Sequence, residues 1–515
     1  MLVRDYLANN ARSWPTKTAY ISSSGRFTWG ETAERSRRLA AAFRSFGIEK
    51  GDVIASLSYD RQEVVEIWYA CALIGAVRVG INPRYSPREM GHILVDSRAR
   101  LLVVHATCRA SFDAVDADTP ELTTVVGVGE GHGFVIDYDS LVLDTDPLDV
   151  LPELDPDDDV AISYTTGSTG LPKGARWSQS SVVAAELNTW LQAGLRRDDV
   201  FLHCLPAAGV PVLLAAFNVF NGSTVVLMEK FSARGALELI QSEQVSCLLW
   251  VPTMIVDVLA DPEFHRFDLS SLRLVIYGSA PASPALVRKA IDRFGCEMQQ
   301  WYGSTEGAAG WYSILDHHDH LAALAGRSEL LSSCGRATLH CEVSIVDHEG
   351  HELPRGEVGE ICVRSDTLMT GYVGLPAETA DALRDGTLHT GDLGRIDDDG
   401  YLYVVDRKKF MIITGGYNVY PVVVENVLAE HPSVREVCVV GVPAERWGEA
   451  VCAVVVATGD IGEGELMEFC RGKLAKFEVP KHITFVSALP RGATGKILKT
   501  AVRDQLLSTY QSSDV

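Results

Sequence analysis

Short apolar runs alternate with longer stretches of helical periodicity along most of this chain. Val53-Ile54-Ala55-Ser56-Leu57 reads as a buried strand, and residues 64–75 as a helix that packs an apolar face. Further strands are predicted at 101–104, 123–126, 224–227 and 272–277. Residues 284–294 form an amphipathic pattern, with Ser283 placed to cap a helix and Pro284 at its first position. Strands alternating with helices predict an α/β lobe whose parallel or mixed sheets are covered by helices.

The rhythm changes twice. The Asp- and Pro-rich stretch 152–159 reads as a linker, and from Gly356 short strands at 360–363 and 401–405 are separated by turns, predicting a β-rich subdomain. After Asp406 comes an α+β pattern: a helix at 421–430, strands near 437–440 and 450–456, and a helix at 463–474. The predicted division is therefore residues 1–405 and 406–515. A chain of 515 residues is too long for one core, in keeping with that division.

Composition narrows the function. A net charge of −22 argues against a nucleic-acid grip and against a polybasic membrane surface. The 11 cysteines are scattered, mostly in apolar surroundings, and none forms a C-x-x-C pair; this suits reduced thiols in a cytoplasmic protein. No signal peptide or stable membrane association is read. An anionic small ligand would need locally concentrated positive groups.

One segment supplies them. Tyr164-Thr165-Thr166-Gly167-Ser168-Thr169-Gly170-Leu171-Pro172-Lys173-Gly174 follows the predicted strand 160–163. Its glycines let backbone N–H groups approach an anion, its hydroxyls can face phosphate oxygens, and Lys173 adds a charge. The spacing is not that of a Walker loop.

This segment resembles the phosphate-binding signature of the adenylate-forming superfamily: acyl-CoA synthetases, luciferases and peptide-synthetase adenylation domains. Other motifs follow in the order that resemblance implies. Asn82-Pro83-Arg84-Tyr85-Ser86 is similar to a stretch of its acyl-CoA ligases. Gly278-Ser279-Ala280-Pro281 resembles the segment bordering adenine, and Trp301-Tyr302-Gly303-Ser304-Thr305-Glu306 resembles its Y-G-x-T-E motif. Thr390-Gly391-Asp392 is similar to its ribose motif. Asp406-Arg407 and Gly415-Gly416-Tyr417-Asn418 resemble its hinge and CoA-face loop, and Thr494-Gly495-Lys496 its catalytic-lysine motif.

The resemblance implies an ATP-, Mg²⁺- and CoA-dependent acid–thiol ligase with a mobile C-terminal domain. Thr165 to Gly170 with Lys173 would cradle the phosphates. Glu306, with Thr165, would hold Mg²⁺, beside Thr305. Ser279, Ala280, Pro281, Tyr302 and Gly303 would border the adenine, and Asp392 with Arg407 would take the ribose hydroxyls. Lys496 would meet the carboxylate and α-phosphate, Asp406 would be the hinge, and Gly415, Gly416, Tyr417 and Asn418 would face CoA.

The sequence also departs from that pattern. Ala207-Ala208-Gly209 replace the aromatic or His gate frequent after Leu-Pro. With Gly278 and Trp301 they would shape an acyl pocket for a bulky, hydrophobic or aryl acid. Arg176-Trp177, Phe410 and Val423 stand where other residues are usual. Three alternatives therefore stay open: transfer to a carrier-protein thiol, thioesterification of acyl-adenylate from a partner enzyme, and nucleotide binding without catalysis. Oligomeric state is not read from the sequence, although homodimers are common among soluble enzymes. Asp316-His317-His318-Asp319-His320 is read as a solvated loop rather than a metal cluster.

Overall fold

The computed structural model describes residues 1–165, 171–280, 282–308, 310–444, 447–492 and 497–511. Two large sheets and two smaller ones organise them. In the nine-stranded sheet, Val200–His203, Cys247–Trp250, Leu274–Gly278 and Glu297–Tyr302 run parallel and adjacent. Alternate residues face two cores: Leu249 and Ile276 pack on one side, Leu248, Val275 and Tyr277 on the other. Burial on both faces explains why these strands read as continuous apolar runs.

The eight-stranded sheet contains Val53–Leu57, Val77–Ile81, Ala99–His105 and the antiparallel hairpin Asp159–Thr165/Lys173–Ser178. Gln62–Ile74 is a helix with every side chain buried, ending where Gly75 turns left-handed at φ 74°. Leu154, from the predicted linker, packs directly over Gly75, where a Cβ would displace it. The helix Pro284–Phe294 forms as its pattern requires: Ser283 accepts from the Leu286 N–H at 3.3 Å, and Val287, Ala290 and Phe294 are buried. A cap of this kind contributes about 1 kcal/mol.

Cys341–Val346, Gly359–Ser365, Thr387–Ile396 and Leu402–Arg407 belong to a small antiparallel sheet. The last sheet contains Ile412–Thr414, Tyr417–Val419, Val434–Ala444, Gly448–Ala457 and His482–Phe485, and has its own apolar cores on two faces. Nine of the 11 cysteines are buried. No helix among the described residues is long and apolar enough to cross a membrane.

The histidine-rich segment differs from the solvated loop expected of it. Asp316 and Asp319 cap the helix His317–Leu324 reciprocally. His320 is fully buried, with Nε2 2.9 Å from the Tyr277 hydroxyl and Nδ1 2.6 Å from the Asp316 carbonyl.

Candidate active site

Ligand crevices in open α/β sheets form at the carboxyl ends of parallel strands, where the chain must turn away. Here the turn after Leu274–Gly278 is abrupt. Gly278 is buried where a Cβ would overlap the Trp301 carbonyl, and exposed Ser279 is left-handed at φ 64°. The turn after Glu297–Tyr302 is held from two sides. The Trp177 indole N–H donates to the Thr305 carbonyl at 2.9 Å, and the Met369 N–H donates to the Glu306 carbonyl at 2.7 Å. Gly303 faces Trp311, with 3.3 Å between a built Cβ and the ring.

That turn presents the Glu306 side chain. Its Oε1 accepts the Tyr372 hydroxyl at 2.7 Å. A carboxylate offers about four lone-pair sites, so Glu306 keeps hard oxygen capacity suited to a magnesium ion. Burial first, and then the Glu306 charge, push the Tyr372 phenol well above its ordinary range. Lys173 Nζ lies 5.6 Å from the centre of the Tyr372 ring. Thr165 and Lys173 are partners across the hairpin that bounds the phosphate-loop segment.

The small sheet contributes a second carboxylate. Antiparallel pairing sets Asp392 opposite Arg407, whose Nε lies 2.6 Å from Asp392 Oδ1. The Tyr302 hydroxyl donates to Oδ2 at 2.7 Å. Gly391 takes φ 70°, which favours glycine just before this buried Asp. Burial and the Asp392 charge push Tyr302 well above its ordinary range. Burial alone would lower Arg407, but Asp392, Tyr302, Glu306 and Tyr372 together leave it raised. These side chains therefore share one electrostatic neighbourhood. Asp392→Asn is expected to raise KM for ATP about 10-fold, the scale of one weakened charge-assisted hydrogen bond. Steady-state kinetics at saturating acid checks this; an unchanged KM would remove Asp392 from nucleotide binding.

Trp301 is buried, with its indole N–H donating to Gln299 Oε1 at 2.9 Å and its ring 4.9 Å from that of Trp311. Ala207, Ala208 and Gly209 lie in the loop after Val200–His203, at the same end of the sheet. Asp406 is tied to the helix Pro421–Ala429: its Oδ2 accepts the Val422 N–H at 3.0 Å, and Oδ1 accepts the Arg407 N–H at 2.6 Å. Lys499 Nζ stands 3.9 Å from Asp406 and 2.9 Å from Glu425. Burial would depress Lys499, but the two carboxylates hold it above its usual range. Gly415 and Gly416 form a left-handed turn at φ 58° and 84°, and exposed Tyr417 stacks on Phe477 at 4.5 Å.

The structure thus brings together Tyr302, Glu306, Asp392, Arg407 and Lys173. Thr166, Gly167, Ser168, Thr169, Gly170, Pro281 and Lys496 lie outside the described residues. Sequence reasoning missed Tyr372, whose only signal is its place after Gly371, and the Glu425–Lys499 pair behind Asp406.

Two family models match the chain: AMP-binding enzyme over residues 7–373 and AMP-binding enzyme C-terminal domain over 423–496. A fatty acid–[acyl-carrier-protein] ligase, ScoC of Streptomyces coeruleorubidus, is 36% identical over 505 residues, 96% of this chain and 95% of that one. Feruloyl-CoA synthase of an Amycolatopsis species is 36% identical over 499 residues, 96% of each chain. The solved amide bond synthetase McbA from Marinactinospora thermotolerans superposes with a TM-score of 0.89 at 32% identity, covering 98% of this chain and 99% of that one. The chain belongs to the AMP-binding enzyme family, within the adenylate-forming superfamily and on the side of its acyl-CoA ligases.

Proposed function

We propose that this enzyme activates a bulky, hydrophobic or aryl carboxylic acid as its acyl-adenylate and passes the acyl group to CoA. The observation that carries the reading is the convergence of Glu306, Asp392, Arg407, Tyr302 and Lys173 on one crevice. A carboxylate oxygen attacks the α-phosphorus of ATP and pyrophosphate leaves. Both reactants are anionic, so the barrier falls when fixed charges meet the charge that builds. Lys173 and the segment Thr165 to Gly170 face the phosphates, with Thr305 beside them. Ser279, Ala280, Pro281 and Gly303 border the base, against the Tyr302 ring. Asp392, oriented by Tyr302 and Arg407, accepts from the ribose hydroxyls. Glu306, with Thr165, would hold a magnesium ion, whose charge would offset that of the phosphates.

In the second half-reaction the CoA thiolate attacks the acyl carbonyl and AMP leaves. Residues 406–515 act as a mobile domain that swings about Asp406, exchanging Lys496 for the loop Gly415 to Asn418. No cysteine is needed as nucleophile. Small residues at Ala207, Ala208 and Gly209 support a bulky acid. A carrier-protein thiol is the second reading, favoured by the likeness to an acyl-carrier-protein ligase.

The test is incubation with ATP, magnesium and a panel of aryl, branched and linear acids, with CoA or a phosphopantetheinyl carrier protein. Pyrophosphate with a new acyl-CoA supports the reading. Acyl transfer to the carrier alone favours the second. Neither pyrophosphate nor acyl transfer from any acid would sink both.

A further inference from the structure

Behind the loop that carries Ala207, Ala208 and Gly209 lies a pair of buried ionisable side chains that the chemistry above does not use. Asp60 follows the strand Val53–Leu57, and Arg78 lies within Val77–Ile81. Both are buried, and they hold the two polar ends of one residue. The Ala207 N–H donates to Asp60 Oδ1 at 2.7 Å, and Arg78 Nη2 donates to the Ala207 carbonyl at 2.6 Å. Arg78 Nη1 reaches the Ala208 carbonyl at 3.4 Å.

The loop is also pressed down sterically. A Cβ on Gly80 would overlap the Ala208 backbone. A Cβ on Gly209 would lie 3.3 Å from Ser163 Oγ, on the neighbouring strand Asp159–Thr165. The small residues of the loop are thus those that let it lie against the eight-stranded sheet. On the acid-activating reading this loop lines the acyl site with Gly278 and Trp301, so where its backbone lies bears on the width of that site.

Burying two ionisable groups to fix one residue's backbone is costly unless position matters. No carboxylate lies within 4.0 Å of Arg78 among the described residues, so its hydrogen bonds go to loop carbonyls and, weakly, to Ser56 Oγ at 3.5 Å. His203 Nε2, 3.7 Å from Asp60, adds no counter-charge, because burial drives that imidazole down to about 3.

We propose that Asp60 and Arg78 are positioning residues that clamp the loop around Ala207 and thereby set the width of the acyl site and its preference for bulky acids. The proposal rests on the acid-activating reading, but its physical part is separable from it.

The test compares Asp60→Ala, Arg78→Met, Asp60→Asn and Arg78→Lys in the full chain. Deuterium exchange over residues 204–210 reads the clamp directly. The ratio of kcat/KM for a bulky and a small acid, with KM for ATP, reads its consequence. Asp60→Ala and Arg78→Met are each expected to speed exchange at Ala207 and to lower the bulky-to-small ratio about 10-fold, the scale of one lost buried hydrogen bond, with KM for ATP within about 2-fold. Asp60→Asn, whose amide oxygen still accepts, is expected to recover most of both.

Unchanged exchange at Ala207 overturns the clamp. So does a parallel rise in KM for acid and ATP, or an Asn variant as damaged as the Ala variant. If the Ala and Met variants fail to fold, the Asn and Lys variants decide. Arg78→Lys, with fewer donors, must then fall between wild type and loss, and equality with wild type in both readouts overturns the proposal. A wild-type enzyme that activates no acid would sink the functional reading while exchange still tests the clamp.

Discussion

Lys496→Ala is expected to lose about 100- to 1,000-fold in acyl-adenylate formation, the scale of one lost preorganised donor at a site of developing charge. The same variant should form thioester from supplied acyl-adenylate at a rate within about 3-fold of wild type, because the proposed mechanism uses that lysine in only one half-reaction. Pyrophosphate release and acyl-CoA formation, measured separately, check the two halves. A near wild-type rate of adenylation would remove Lys496 from the chemistry. Equal losses in both steps would point instead to damaged folding.

The described residues on either side of that lysine are joined to each other. Arg491 and Ile497 are bridged, and the Leu498 N–H donates to the Pro490 carbonyl at 2.9 Å. The charge of Arg491 reaches Asp257 on the helix Pro252–Leu259, which follows the strand Cys247–Trp250 of the crevice.

Local pattern was enough for many elements and for little of the site's wiring. Val53–Leu57, Thr224–Leu227 and Pro284–Phe294 form where their residues predict, because each carries its own signal: an apolar run, or a cap, a proline and an apolar stripe. The strand read at 272–277 begins only at Leu274, because Arg273 and Leu274 both donate to the Ser246 carbonyl and Arg273 pairs with Asp199. The segment 316–320 looked solvated because it is polar at every position. The burial of its last two residues, Asp319 and His320, depends on Tyr401 and Tyr277, which lie far off in sequence.

Motif order singled out Tyr302, Glu306, Asp392 and Arg407, but not which touches which. The Tyr302–Asp392 bond spans 90 positions, and Tyr372 reaches Glu306 across 66. Arg78 left no trace at all, since one arginine in Val-Arg-Val-Gly-Ile reads as the solvated face of a strand. Its partner is a backbone carbonyl 129 residues away, which no side-chain pattern advertises.

Glu306→Gln should cost adenylation about 100-fold or more, and here the geometry separates charge from shape. The turn that carries residue 306 is fixed through backbone, by Met369 and Trp177, so an isosteric side chain leaves it in place. The Tyr372 hydroxyl still finds an oxygen in the Gln variant. What disappears is the negative charge, and charge-assisted contacts are roughly twice as strong as neutral ones. Tyr372→Phe makes the opposite change: it keeps the charge and removes one neutral donor, which should cost no more than about 5-fold. Calorimetry supplies a readout apart from turnover. Glu306→Gln should weaken ATP binding when magnesium is present and leave it nearly unchanged in excess chelator, whereas Tyr372→Phe should alter neither by more than about 5-fold. If the Phe variant proved as damaging as the Gln variant, Glu306 would serve mainly to hold Tyr372, and the charge would have to be sought elsewhere in the crevice.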